Sequence, residues 1–98
     1  MSIYVVSVLD KQDPETYMEY SRRARLPLAE VGGEIVVSSD APVFLEGGEE
    51  ANRLVILRFN DEEAFDRWWN SETYQNAIPF RHRSAKTFFV AKVPGFEG

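Results

Sequence analysis

Arg53-Leu54-Val55-Ile56-Leu57-Arg58-Phe59-Asn60 runs apolar through Leu54 to Leu57 and then places an arginine before Phe59. A strand half-buried against one layer alternates apolar and polar residues. One that is apolar at both parities is covered on both faces. Ile3-Tyr4-Val5-Val6-Ser7-Val8-Leu9 has the same character. Both stretches are rich in β-branched residues and end on polar ones, which is the signature of strands. Glu34–Ser39 and Lys86–Val93, the latter containing Phe88-Phe89-Val90, read as two further strands with more polar residues.

Helical regions lie between these strands. Asp13-Pro14 has the form of an N-cap followed by proline at the first helical position, where a missing N–H costs nothing. From there Tyr17, Tyr20 (or Ser21), Ala24, Leu28 and Val31 recur at helical spacing, and Gly32-Gly33 supplies the stop. Pro27 cannot donate to the carbonyl of Arg23, so a kink or break is expected near Leu26. The second region is expected to start at Asn60 as cap, with Glu63 reaching back and Ala64, Phe65, Trp68 and Trp69 giving an apolar face. A second start at Ser71 leads through Tyr74, Ala77 and Ile78 to Arg83, interrupted by Pro79.

The order is β-α-β-β-α-β, the ferredoxin-like arrangement: an α+β fold with a four-stranded antiparallel sheet and helices on one face. In that arrangement strands one and three are central, in agreement with their two apolar parities. Two helical regions cover only one face of the sheet. The economical cover for the other is a second copy of the chain, because soluble proteins rarely leave several hundred Å² of apolar surface exposed. A homodimer through the open sheet face is therefore expected.

Composition narrows the function classes. With 98 residues, 44% hydrophobic and 28% charged, the chain has the size and balance of a single globular domain spanning 1–98. The absence of cysteine excludes disulfides, thiolate nucleophiles and cysteine-ligated metals. A net charge of −5 argues against a nucleic-acid partner. The N-terminal apolar run is too short for a signal core or a membrane span, so no membrane partner and a cytoplasmic location are expected. The clusters Glu46–Glu50 and Asp61-Glu62-Glu63 lack calcium-loop spacing and read as a solvated loop and a helix start. No phosphate loop, dinucleotide fingerprint or serine elbow is present. Neither a metal nor any particular cofactor is indicated.

The residues also resemble a known family. Tyr4-Val5-Val6-Ser7-Val8-Leu9-Asp10 followed by Asp13-Pro14-Glu15-Thr16-Tyr17 looks like the opening of the small bacterial proteins grouped as domain-of-unknown-function family number 1330. Gly32-Gly33, Ala41-Pro42 leading to Leu45-Glu46-Gly47, Arg53–Phe59, Trp68-Trp69-Asn70-Ser71 with Tyr74-Gln75, and Arg81 match in order. The resemblance covers about Ile3 to Val93 and implies a dimeric α+β barrel. Relatives of that fold include cofactor-poor monooxygenases, muconolactone-isomerase-like proteins and haem-degrading enzymes. Arg58 stands where members often carry a carboxylate.

Thirteen aromatic residues, an unusual number for this length, fall into Phe-rich strands and a Tyr/Trp group on the helices. Tyr17, Tyr20 and Trp69 belong to the second group and would line a cavity between helices and sheet, or simply fill the core. Trp68 and Trp69 stand about 100° apart on a helix, so one faces a partner, a pocket rim or solvent. Arg58 must find a carboxylate, a carbonyl or an anionic ligand; Glu34, Asp10, an acid of a dimer partner and a ligand carboxylate are the alternatives. His82, the sole histidine, suits acid–base work or else complements a helix C-terminus. Candidate ligand contacts are thus Arg58, Arg81, Tyr17 and Trp69, and candidate proton-transfer groups are His82 and Tyr20. Two functions follow: binding or transformation of a small apolar or aromatic organic acid, or a noncatalytic dimeric module that binds a ligand or protein.

Overall fold

The computed structural model describes residues 1–96. The elements are β1 (Ile3–Lys11), α1 (Pro14–Glu30), β2 (Glu34–Ser39), β3 (Arg53–Phe59), α2 (Glu62–Trp69), α3 (Glu72–Ser84) and β4 (Ala85–Pro94). Neighbouring strands are antiparallel in the order β2-β3-β1-β4, so β1 and β3 are central and the fold is ferredoxin-like α+β. The second helical region is divided into α2 and α3.

Capping chemistry sets the helix starts. Asp13 accepts from the Thr16 amide at 3.3 Å and from the Thr16 hydroxyl at 2.7 Å, with Pro14 opening α1. α2 starts one residue later than Asn60 as cap would place it, because Asp61 is the residue that accepts from the Ala64 amide, at 2.8 Å. The Asn60 side chain is engaged by Arg58 Nη1 at 3.3 Å. Ser71 caps α3 by accepting from the Tyr74 amide at 3.2 Å. Both internal prolines are carried without a break: α1 continues through Pro27 to Glu30, and α3 through Pro79 to Ser84. Each forfeits one backbone hydrogen bond, and the packing of α1 on α3 along the layer holds the helices together.

Register divides the two central strands between two environments. Val5 pairs with Leu57 and Ser7 with Val55, and these face the helices. Tyr4 pairs with Arg58, Val6 with Ile56 and Val8 with Leu54, and these face away. The helix-side core joins Ile3, Val5 and Phe59 to Leu28, Phe65 and Trp68. On the far side Phe44 and the 46–51 stretch stand over Val6, Val8, Leu54, Phe88 and Phe89, leaving a groove of about 680 Å³. Gly48, at φ +76°, permits this fold-back, since a Cβ there would lie 2.4 Å from Phe44 Cδ1. The cover is partial: Phe89 in the groove stays 49% exposed, as does Val36 outside it.

The exit from α1 is as tightly built as its start. The Gly33 amide donates to the Leu28 carbonyl at 2.9 Å and the Gly32 amide to the Ala29 carbonyl at 3.0 Å, a Schellman pair with Gly32 at φ +73°. A Cβ on Gly33 would lie 2.4 Å from Leu28 Cδ1 and 3.1 Å from Phe59 Cε1. Leu28 and Phe59 are core residues with little room to move. Gly33→Ala is therefore expected to destabilise the fold by about 1–3 kcal/mol in a urea titration.

Candidate functional site

The helix-facing residues of β1 and β3 form the floor of a cavity of about 70 Å³ beneath α1 and α3. Val5, Leu9, Val55 and Leu57 make the floor apolar, and Ser7 interrupts it. Ser7 occupies a central strand, yet its hydroxyl has no hydrogen-bond partner among the described residues. The roof carries Tyr17, Tyr20 and Ala24 from α1 and Tyr74 and Arg81 from α3, with Trp68 of α2 at the side.

Helical spacing brings the roof's polar groups together. Tyr74, Ala77, Arg81 and Ser84 recur at three- and four-residue steps and form the buried stripe of α3. Arg81 is 5% exposed. Its Nη1 donates to the Tyr74 hydroxyl at 2.9 Å and to the Tyr20 hydroxyl at 3.3 Å. The two hydroxyls lie 2.9 Å apart. Arg81 makes no ion pair among the described residues, so a buried guanidinium is balanced by two neutral phenols alone. Leaving a buried cation without a counter-charge costs several kcal/mol, roughly 3–5.

Proton counting shows that this cluster has donors to spare. Each phenol oxygen accepts from Arg81, and one hydroxyl donates to the other, which leaves one hydroxyl hydrogen over. Buried Arg81 Nε, Trp68 Nε1 and Arg53 Nε also lack acceptors among the described residues, and all three belong to residues lining the cavity. Burial holds the Tyr74 phenol far above its ordinary value, with the neighbouring Tyr20 adding to the rise, and burial likewise raises Tyr17 against the pull of Arg53. These two phenols are neutral donors rather than bases across the physiological range.

A second polar group stands by Tyr17. Arg53 donates from Nη1 to Asp40 at 2.8 Å and from Nη2 to the Ser38 hydroxyl at 2.9 Å, and its guanidinium lies 4.9 Å from the Tyr17 ring centre. Lys11 Nζ meets the same Asp40 at 2.9 Å. The Tyr17 and Tyr20 rings, 5.3 Å apart, link this group to the Arg81 cluster.

Of the residues singled out by sequence, Tyr17, Tyr20 and Arg81 line the cavity together. Arg58, Trp69 and His82 stand elsewhere. Arg58 pairs with Tyr4 on the face away from the helices, where it meets Glu34 at 3.1 Å, Asn60 at 3.3 Å and the Ser2 hydroxyl at 2.8 Å. His82 is exposed in the last turn of α3, one position off the buried stripe. Trp69 is half-buried and stacks on Phe65, with ring centres 6.1 Å apart. Tyr74, Trp68, Arg53 and Ser7 complete the site. The signal for Arg81 was its place on the Tyr74–Ala77 stripe, and for Ser7 its shared parity with Val5. Among the described residues no group of three or more His, Cys, Asp or Glu side chains is placed to share a metal ion, and no helix is long and apolar enough to cross a membrane.

The architecture is shared widely. The chain is similar to a dimeric ferredoxin-like protein of unknown function from Jannaschia sp. CCS1, at 17% identity and TM-score 0.80, covering 97% of this chain and 100% of that one. It is also similar to a protein of unknown function from Rhodopseudomonas palustris, at 16% identity and TM-score 0.77, covering 99% and 84% respectively. SnoaB from Streptomyces nogalater, a cofactor-independent oxygenase, is similar at 12% identity and TM-score 0.69, covering 99% and 95%. These likenesses concern the fold alone. Comparison with curated proteins finds no match. The sequence profile of one family, described as a domain of unknown function, matches residues 2–95, and the chain therefore belongs to the DUF1330 family.

Proposed function

We propose that the chain is a two-fold dimer in which each protomer binds a small organic acid in the cavity between helices and sheet, with Arg81 as the carboxylate anchor. The observation that carries this reading is the buried Arg81 guanidinium with no carboxylate of its own, surrounded by surplus donors. A carboxylate entering there supplies the missing charge and the missing acceptors in one group. The anchor role thus moves from Arg58, which already has Glu34, to Arg81. The cavity of about 70 Å³ is roughly five to seven times the space one water needs, which favours a short aliphatic acid over an aromatic one.

Tyr20 is the group for proton transfer in a catalytic version of this reading, because the leftover hydroxyl hydrogen sits on the Tyr20–Tyr74 pair beside the anchor. Dimerisation rests on the open sheet face, where Ile56 and Val36 lie outside the Phe44 fold-back and Phe89, beside it, stays 49% exposed. The dimeric Jannaschia protein of the same fold supports it by analogy.

Short carboxylates at millimolar concentration should raise the melting temperature of the wild-type protein in a thermal-shift assay, by mass action on the folded state. Arg81→Met should abolish that shift, whereas Arg58→Met should retain it; the reverse pattern would return the anchor to Arg58. Ile56→Glu, on the open face, should convert a dimer into a monomer in sedimentation equilibrium, with the ligand-induced shift retained.

A pH dependence follows from the neutral phenols. Tyr17 and Tyr74 are raised in the folded chain above the ordinary value of 10.0. The stability they contribute is therefore fully present below about pH 10 and is lost as pH rises past the value of the unfolded chain. Urea midpoints should fall on moving from pH 9 to pH 11, and Tyr74→Phe should flatten that fall.

A further inference from the structure

Three arginines line the cavity: Arg25 is exposed, whereas Arg81 and Arg53 each hold a buried Nε–H without an acceptor among the described residues, and the difference between these two specifies the ligand further. Arg81 carries an uncompensated charge. Arg53 spends its charge on Asp40, with Nη2 on Ser38, but its buried Nε still lacks an acceptor. A second carboxylate beside Arg53 would face Asp40 and Arg53 already paired. A neutral carbonyl or hydroxyl oxygen would take up the idle N–H without repulsion. Between the two groups the floor is apolar at Val5, Val55 and Leu57, with the unpartnered Ser7 hydroxyl set in it.

The geometry points to an oxo- or hydroxy-substituted short-chain monocarboxylate as the ligand, its carboxylate on Arg81 and its uncharged oxygen on Arg53 and Ser7. This rests on the reading of Arg81 as carboxylate anchor. It adds that the second oxygen is neutral and is recognised by a different arginine. The cavity accommodates about five to seven non-hydrogen atoms by comparison with water, the size of a substituted butanoate.

Calorimetric titration with four probes of similar size tests this: butanoate, 2-oxobutanoate, 3-hydroxybutanoate and propanedioate. The better of the two substituted butanoates should bind about tenfold tighter than butanoate, the worth of one well-made hydrogen bond to a charged group. Propanedioate should bind no tighter than butanoate. Arg53→Met should erase the preference, so that the substituted butanoates bind that variant no tighter than butanoate does. Arg53→Lys, which keeps a charge opposite Asp40 but loses the Nε–H, serves the same purpose if the methionine variant does not fold. Equal binding of butanoate and its substituted forms, or tightest binding of propanedioate, overturns this inference and leaves the anchor standing. No binding of any probe by the wild type, or unchanged butanoate binding by Arg81→Met, overturns the anchor and this inference with it.

Discussion

A central strand pair that is apolar on both sides has to be covered twice, and everything else in the molecule is arranged around that demand. β1 and β3 present Val5, Leu57 and Phe59 to one layer and Val6, Val8 and Ile56 to the other. The chain owns one helical layer, which it spends on the first face. On the second it supplies only the fold-back at Phe44 over one end of the sheet. Hydrophobic burial is close to proportional to area and has no direction. The open face therefore acts on whatever apolar surface comes near, and a second copy is the surface always at hand.

The covered face is not sealed completely, and the gap has an apolar floor under a polar roof. In a small domain an apolar cavity would ordinarily be filled by a larger side chain, since empty space forfeits dispersion contacts. Here arginine and tyrosine groups bound the space on the helix side. Arg81 is tolerated in the interior because two phenols solvate its Nη1, and the Tyr74 phenol is held protonated by the same burial that makes the guanidinium costly. The cluster is satisfied enough to fold and still leaves donors without acceptors among the described residues.

Much of the fold was legible in the residues. Glu34–Ser39 coincides with β2, and the Asp13-Pro14 cap, the Gly32-Gly33 stop and the Ser71 restart are each realised. These are local signals, fixed by capping atoms and backbone angles within a few residues. The start of α2 was less legible, since Asn60 and Asp61 are both competent caps and Arg58 decides between them by engaging Asn60. Site residues were legible only in part, for a reason of symmetry. A strand apolar at both parities does not reveal which parity meets the helices, so Arg58 and Leu57 were indistinguishable as cavity candidates until register put Arg58 opposite Tyr4. Arg81 stood among the candidate ligand contacts, and its helical phase with Tyr74 and Ala77 is what buries it.

The alternation along β1 has a consequence for how such a chain can diverge. Val5 and Ser7 belong to the cavity, Val6 and Val8 to the opposite face, so two jobs are interleaved on one strand one residue apart. Substitutions at odd and even positions can drift separately, letting the cavity lining change while the opposite face is preserved. An insertion or deletion within the strand exchanges the two sets at once, since a slip of one residue turns every side chain over. Length in β1 and β3 should thus be held rigid across descendants even where residue identity is free. The one irregularity in the pairing of β1 lies against β4, where Val8 and Leu9 face Phe89 and Thr87 and the additional residue, Phe88, belongs to the outer strand, so extra length is absorbed outside the central pair.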